Sequence, residues 1–396
     1  MNSLRRKLCV MSSFDPAFSD MMSAPIAMKR SHPIWLLLIV SLALVSCALF
    51  KTKASSPPAS EVFPLKEEGR VLYEGEINRL VQKAGGRLFF STAKGYLYCI
   101  DAAKKDVSWK FSARAGVSAP PCLSEGRIYF ADAENELYCL DEAGTLVWEK
   151  KLAEKLSGEI GRGSGTILLS TVDGKVVALD PSTGNEMWGF NSESTIETVP
   201  VVWNQQIIFG TGDGRLYFLA PDGRRLAAFK AGARVRGPLL IDANRLYYTL
   251  QDGTFNSLNL TSRRRRWKIQ TGGFLTAAPT VDEKRIYFLN SGDIFFCLNK
   301  KNGELLWWKP IPSRSFFHPE IYGAEILASS LSPLLLGFYK NNGEKSGSFD
   351  AGQEIKSNPL GFDSRLVINV YDGEAGQGIL VFLKRESAVR VTSQKK

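Results

Sequence analysis

Residues 165–188, GTILLSTVDGKVVALDPSTGNEMW, decide the fold. Two short apolar runs, Ile167–Ser170 and Lys175–Leu179, flank the dipeptide Asp173-Gly174. That dipeptide is a strong hairpin signal, because glycine takes a positive φ without a Cβ clash. A second turn at 180–184 leads into a third run that ends on Trp188.

The unit repeats. Turn dipeptides stand at Lys94-Gly95, Glu134-Asn135, Asp173-Gly174, Asp213-Gly214, Asp252-Gly253, Gly292-Asp293, Ser332-Pro333 and Asp372-Gly373, spaced by 39 or 40 residues. A second series, Pro121, Ile160, Pro200, Pro238, Pro279, Pro319 and Pro359, precedes each hairpin. A third series, Trp109, Trp148, Trp188, Trp267 and Trp307, closes the units, and Phe229 and Phe349 stand near the slots where tryptophan is missing. Three markers in one register, at a spacing near 40 with about four strands per unit, predict propeller blades.

Runs such as Leu216-Tyr217-Phe218-Leu219 are apolar throughout rather than alternating. A blade wedged between two neighbours is covered on both faces, so both sets of side chains are expected to be apolar. Eight hairpins predict an all-β, eight-bladed propeller of four-stranded antiparallel blades over residues 69–383, with a C-terminal tail at 384–396. The eighth unit lacks an outer strand of its own. The run Gly69-Arg70-Val71-Leu72-Tyr73 matches Gly303-Glu304-Leu305-Leu306-Trp307. Residues 69–76 are therefore expected to complete blade eight and seal the ring, which removes its exposed edges. Residues 388–391 offer an alternative closure.

Apolar residues make up 44% of the chain, enough for a packed core. The net charge is +10, and without residues 1–46, which hold five Lys/Arg and two Asp, it is +7. That balance suits acidic partners or membrane headgroups and gives no argument for nucleic acid. Of six cysteines, Cys99, Cys139 and Cys297 share one strand position in different units and Cys122 lies in an inner strand. With no C-x-x-C and no vicinal pair, they read as buried apolar residues. Walker and Rossmann glycine loops are missing from the sequence, and His318 is the one histidine after the leader.

The N-terminal region reads as a leader and a tether. Lys29-Arg30, the apolar run 34–45 and Ser46-Cys47 have the order of a secretory signal, which makes Met28 the expected true start and 1–46 the signal peptide. Residues 47–68 form the expected anchor and tether, since 51–64 is polar and proline-rich. Three features further on are candidate contact sites. Arg263-Arg264-Arg265-Arg266 fills an outer turn where sister units carry glycine, with a solvated loop as its alternative. Trp307-Trp308 places a second indole on the opposite strand face, where it is expected to pack in the core, with an exposed binding anchor as the alternative. Arg234-Val235-Arg236-Gly237 precedes Pro238 at a rim where inner strands begin.

Leu44-Val45-Ser46-Cys47 resembles the lipobox of bacterial lipoproteins. The resemblance implies a lipidated Cys47, and Ala48 after it suits the outer membrane; an uncleaved anchor over 34–50 is the alternative. Units such as 174–180 followed by Thr183-Gly184 and Trp188 resemble the repeat of pyrroloquinoline-quinone-type propellers. Quinone dehydrogenases of that class carry a vicinal disulfide, which this sequence lacks, so no cofactor is expected. Lipobox, tether and a single ring together resemble the BamB family of the outer-membrane β-barrel assembly machinery. That resemblance implies a non-enzymatic scaffold on the periplasmic side of the outer membrane, a monomer within a complex, docked on the BamA-type assembly protein. Val235-Arg236-Gly237 echoes the family's Arg-Gly-Glu docking run without its Glu, and Thr276-Ala277-Ala278 has no counterpart to its Asp-x-Asp run. Arg234, Arg236, Arg263, Arg264, Arg265 and Arg266 are the expected partner-binding residues. The rival readings are a membrane-attached adhesin, sensor or ligand-binding module and, more remotely, a quinoprotein dehydrogenase.

Overall fold

A computed structural model describes residues 60–386 apart from 84 and 363. Its strands form eight antiparallel four-stranded sheets, the blades of a propeller. Seven blades take consecutive strands: 77–112, 117–151, 161–191, 201–230, 235–270, 280–310 and 320–350. Blade eight pairs Leu360–Phe362, Arg365–Asp372 and Gln377–Arg385 with the N-terminal strand Leu65–Glu74, which lies antiparallel to Gln377–Arg385. The expected closure by an N-terminal strand is therefore present, and it begins at Leu65. The alternative closure at 388–391 lies outside the described residues, as do Met28 and Cys47.

The core is divided among the seams between blades. Eight clusters of buried apolar side chains each join two adjacent blades, and the cluster of Val71, Ile77, Leu88, Leu360 and Phe382 spans the closing seam. All of these residues lie at or after Val62, within the compact unit 59–396. That unit holds its whole core and has what it needs to fold on its own.

Tryptophan forms five of the seams. The indole Nε1 of Trp109, Trp148, Trp188, Trp267 and Trp307 donates to the carbonyl of Glu142, Pro181, Pro221, Lys300 and Lys340 in the next blade, at 2.8–3.2 Å. Each ring lies flat against a glycine there: Gly144, Gly184, Gly223, Gly303 and Gly343. A Cβ on Gly223 would meet Trp188 at 2.6 Å, so only glycine admits the ring.

The other three seams replace that pair. In blade four the register places Ala227, not Phe229, at the tryptophan position, and in blade seven Gly347, not Phe349. In blade eight it is Gly69, since Gly69 and Trp307 both follow the strand bulge. The sequence match of Tyr73 with Trp307 is thus four residues out of register; Tyr73 lies further along and accepts a hydrogen bond from Asn369. The large side chain has changed sides. Where sister blades carry glycine, blade five has Arg263 (φ 53) and blade one has Lys105 (φ 56). The Arg263 guanidinium lies 5.0 Å from the Phe218 ring centre of blade four, and Lys105 covers Gly69 and binds Glu68 at 3.3 Å.

The third vacancy takes a residue from outside the repeat. Phe63 is buried with its ring against Gly337 and Gly347 of blade seven. The strap 60–64 that carries it is held by Glu325, a fully buried carboxylate that accepts from Ser60 Oγ at 2.9 Å, Glu61 N at 2.5 Å and Val62 N at 3.1 Å, and also from Ser346 Oγ. Composition placed residues 60–68 in the tether. They belong to the folded unit instead, because Val62 and Phe63 have a seam to fill and the strap's polar groups have a carboxylate to bind.

A candidate docking rim

Each chain reversal sends successive loops to opposite faces of the ring. The hairpins between second and third strands share one face with the connections between blades. The strap shares the other face with the remaining loops, since Glu61 Oε2 accepts from Ala324 N and Arg385 donates to Ser60 O. The candidate residues divide accordingly. Arg234 and Arg236 lie on the first face, and Arg263–Arg266 lie on the strap face, so no single contact surface takes both groups.

On the first face one repeat position makes a rim. Val117, Ile196, Val235, Leu275 and Ile355 are buried, Leu156 is half-buried, and all pair with equivalent residues of their second strands, which fixes where each first strand begins. The next residues, Ser118, Ser157, Glu197, Thr276 and Lys356, together with Phe316 after buried Ser315, line a cavity of about 680 Å³. Arg236 holds the same position in blade five. The signal was in the sequence, as the residue directly after each anchor, but these seven positions differ so much chemically that they do not resemble a series.

The charged part of the rim is built across blades. Arg234 donates to Glu197 at 2.6 Å, and Arg236 Nε lies 3.9 Å from the same carboxylate. The Arg236 guanidinium also stacks 4.4 Å over the Phe274 ring of the next blade. Gly237 follows at φ +82, in a bulge where a Cβ would meet Leu275 O at 3.0 Å. Glu197 of the preceding blade thus places a carboxylate beside both arginines. On the far side Lys356 binds Glu354 at 2.8 Å and Glu76 at 3.4 Å, and the Glu354 bond raises its pKa above the ordinary lysine value. Exposed ion pairs of this kind contribute little to stability. They fix Arg234, Arg236 and Lys356 on a rim that also carries half-buried Phe274, under Arg236, and exposed Phe316, an arrangement suited to carboxylates flanked by apolar side chains.

Deeper in the ring, Pro121, Pro200, Arg162 and His318 line an adjoining cavity of about 620 Å³. Proline fits there because a first strand has no hydrogen-bonded partner on its channel side. Among the described residues no cysteine is in a disulfide: Cys99, Cys139 and Cys297 are buried, Cys122 is half-buried, and burial pushes the thiols of Cys99 and Cys139 up to about 11 and that of Cys297 to about 12. Thiols so perturbed are inert. Trp307 is buried in its seam, whereas Trp308 beside it is 53% exposed and does not join the core as expected, because it points to the uncovered side of an outer strand.

The chain is similar to known proteins over most of the ring. A family model described as "Outer membrane protein assembly factor BamB" matches residues 74–144, 133–226, 173–314, 217–344 and 251–390. A protein of that name from Nitrosomonas eutropha is 24% identical over 184 residues, 41% of this chain and 44% of its own length. The matched stretch thus spans less than half of that relative. Among solved structures, BamB from Moraxella catarrhalis superposes with a TM-score of 0.68 at 14% identity, over 81% of this chain and all of that one. A europium-containing methanol dehydrogenase gives 0.64 at 13% identity, over 81% of this chain and 93% of its own. At such identities the likeness to solved structures shows the fold alone, as unrelated functions share this ring. The family model covers well over half of the residues: the chain belongs to the family of the outer membrane protein assembly factor BamB.

Proposed function

We propose that this protein is a non-enzymatic scaffold, anchored by lipid at Cys47 on the periplasmic side of the outer membrane, that holds protein partners during β-barrel assembly. The partner is a barrel-assembly protein of BamA type. The observation that carries the reading is the rim cluster of Arg234, Arg236, Glu197 and Phe274, two cations and an aromatic ring held rigid across two seams on the face opposite the strap. Loops fixed this way bind without a large ordering cost. A family scaffold needs such a surface, and the rim supplies it.

Crosslinking in intact membranes followed by pull-down tests the reading. The wild-type chain is expected to capture a barrel-assembly protein, and Arg236→Glu to lose it, because the reversed charge repels partner carboxylates and leaves Glu197 beside a second acid. A complex that survives Arg236→Glu unchanged removes the rim from the docking surface. Absence of any barrel-assembly protein from the wild-type capture overturns the scaffold reading.

A further inference from the structure

The strap face carries an excess of positive charge that the docking rim does not use. In blades five and six its loops expose Arg264, Arg266, Lys284 and Lys301, and among the described residues none of these four has a carboxylate within ion-pair distance. Lys284 and Lys301 border a cleft of about 510 Å³ together with Arg245, Lys300, Asp242 and exposed Glu283, four cations against two carboxylates. Inside the cleft Lys300 is neutralised by Asp242 at 2.8 Å, and Arg245 donates to the Lys300 carbonyl at 2.5 Å. The cleft keeps an excess of two positive charges, and Arg264 and Arg266 add to it on the same face. Like charges gathered on one sector repel each other, so a compensating anionic surface gains from meeting them.

Where the chain leaves the ring identifies that surface. The strap crosses blade seven, next to the basic sector, with Glu61 against Ala324 on the same face. Only 12 residues, 48–59, separate the strap from Cys47. Fully extended they reach roughly 40 Å, about the diameter of a small domain. A membrane holding Cys47 therefore faces this side of the ring rather than the docking rim. We infer that the basic sector of blades five and six is a membrane-apposed surface that binds anionic phospholipid headgroups, with the cleft between Lys284 and Lys301 receiving a phosphate. The sector then sets the tilt of the ring, so that the rim with Arg236 points away from the bilayer. The inference rests on the anchored reading for which side meets the membrane. The charge arrangement itself does not depend on lipidation.

Vesicle cosedimentation of the unit 59–396, which has no Cys47, tests it. The unit is expected to bind vesicles of phosphatidylcholine containing about a third phosphatidylglycerol, and not phosphatidylcholine alone, since each cation near an anionic surface adds about 1 kcal/mol. Binding should vanish at about 0.5 M salt, where screening reaches only a few ångströms. Arg264→Glu with Lys301→Glu should weaken partitioning by about tenfold or more. Lys94→Glu with Lys155→Glu, exposed positions on the opposite face, should leave it unchanged. Circular dichroism checks that both variants are folded. Failure to bind anionic vesicles at low salt, as expected if an acidic protein covers the sector, overturns the inference, and so does equal weakening by both pairs. Neither result bears on capture of a barrel-assembly protein through Arg236, so the two readings fail separately.

Discussion

Phe63 lies against Gly347, in the place that an outer-strand tryptophan takes in five other blades. Blade eight has no loop between its third and fourth strands, because the two ends of the chain meet there. The strap takes over the duty that such a loop performs elsewhere. Phe63→Ala is expected to lower stability by about 3 kcal/mol, the usual cost of a buried phenylalanine. Urea unfolding checks this, and a loss below about 0.5 kcal/mol would place the ring on the surface.

Glu325 is the second half of the latch. Glu325→Ala leaves Ser60 Oγ and the Glu61 amide without their acceptor, and the Val62 amide with Ser60 Oγ alone at 3.2 Å. Each stranded donor costs about 1–3 kcal/mol unless the strap lifts off and meets water. The expected outcome is faster hydrogen exchange at Glu61 and Val62 with the rest of the ring protected. Unchanged exchange there would mean that Phe63 alone holds the strap.

At the seam between blades four and five, the exchanged pair Ala227 and Arg263 predicts a coupled substitution. Ala227→Trp alone forces an indole onto the Arg263 side chain, and Arg263→Gly alone opens a gap over Phe218. The double variant restores the arrangement of Trp188 and Gly223. A double-mutant cycle by thermal unfolding is expected to show a favourable coupling of about 1 kcal/mol or more. Additive effects would mean that the two positions do not share one slot.

Glu320 gives a pH dependence of known sign. Burial raises its pKa above the ordinary 4.5, partly offset by a hydrogen bond from the Gly361 amide. The folded protein then holds this proton more tightly than the unfolded chain does. Its contribution is complete below the unfolded value and is lost as pH rises through the folded one. Glu320→Gln is therefore expected to be more stable than wild type near pH 7, with the difference closing below about pH 4. Equal curves across that range would show Glu320 to be solvated.

Turn dipeptides and tryptophans are local signals, and they made the blades, their number and the source of the closing strand legible. Register at the three altered seams was not legible, because there the bulky partner moved to another blade. Gly69 looks like an ordinary turn glycine until Lys105, 36 residues away, is seen to cover it. Arg263 reads as one of four surface cations, yet its side chain is spent on Phe218 while Arg264 and Arg266 face solvent. Ser60 to Pro64 has the composition of a linker, and only Glu325, more than 260 residues on, makes it structure. The rim was half visible: Arg236 stood out by type, whereas Glu197 and Phe274 join it only through folding.

The latch also decides how the ring responds to tension. A pull transmitted along the N-terminal chain meets the Glu325 carboxylate and the Phe63 ring before it reaches Leu65–Glu74. Blade seven takes that load, and the strand that shuts the circle is shielded from being peeled off its neighbour. A load applied at the N-terminal end is therefore borne by blade seven before the join of the ring can unzip.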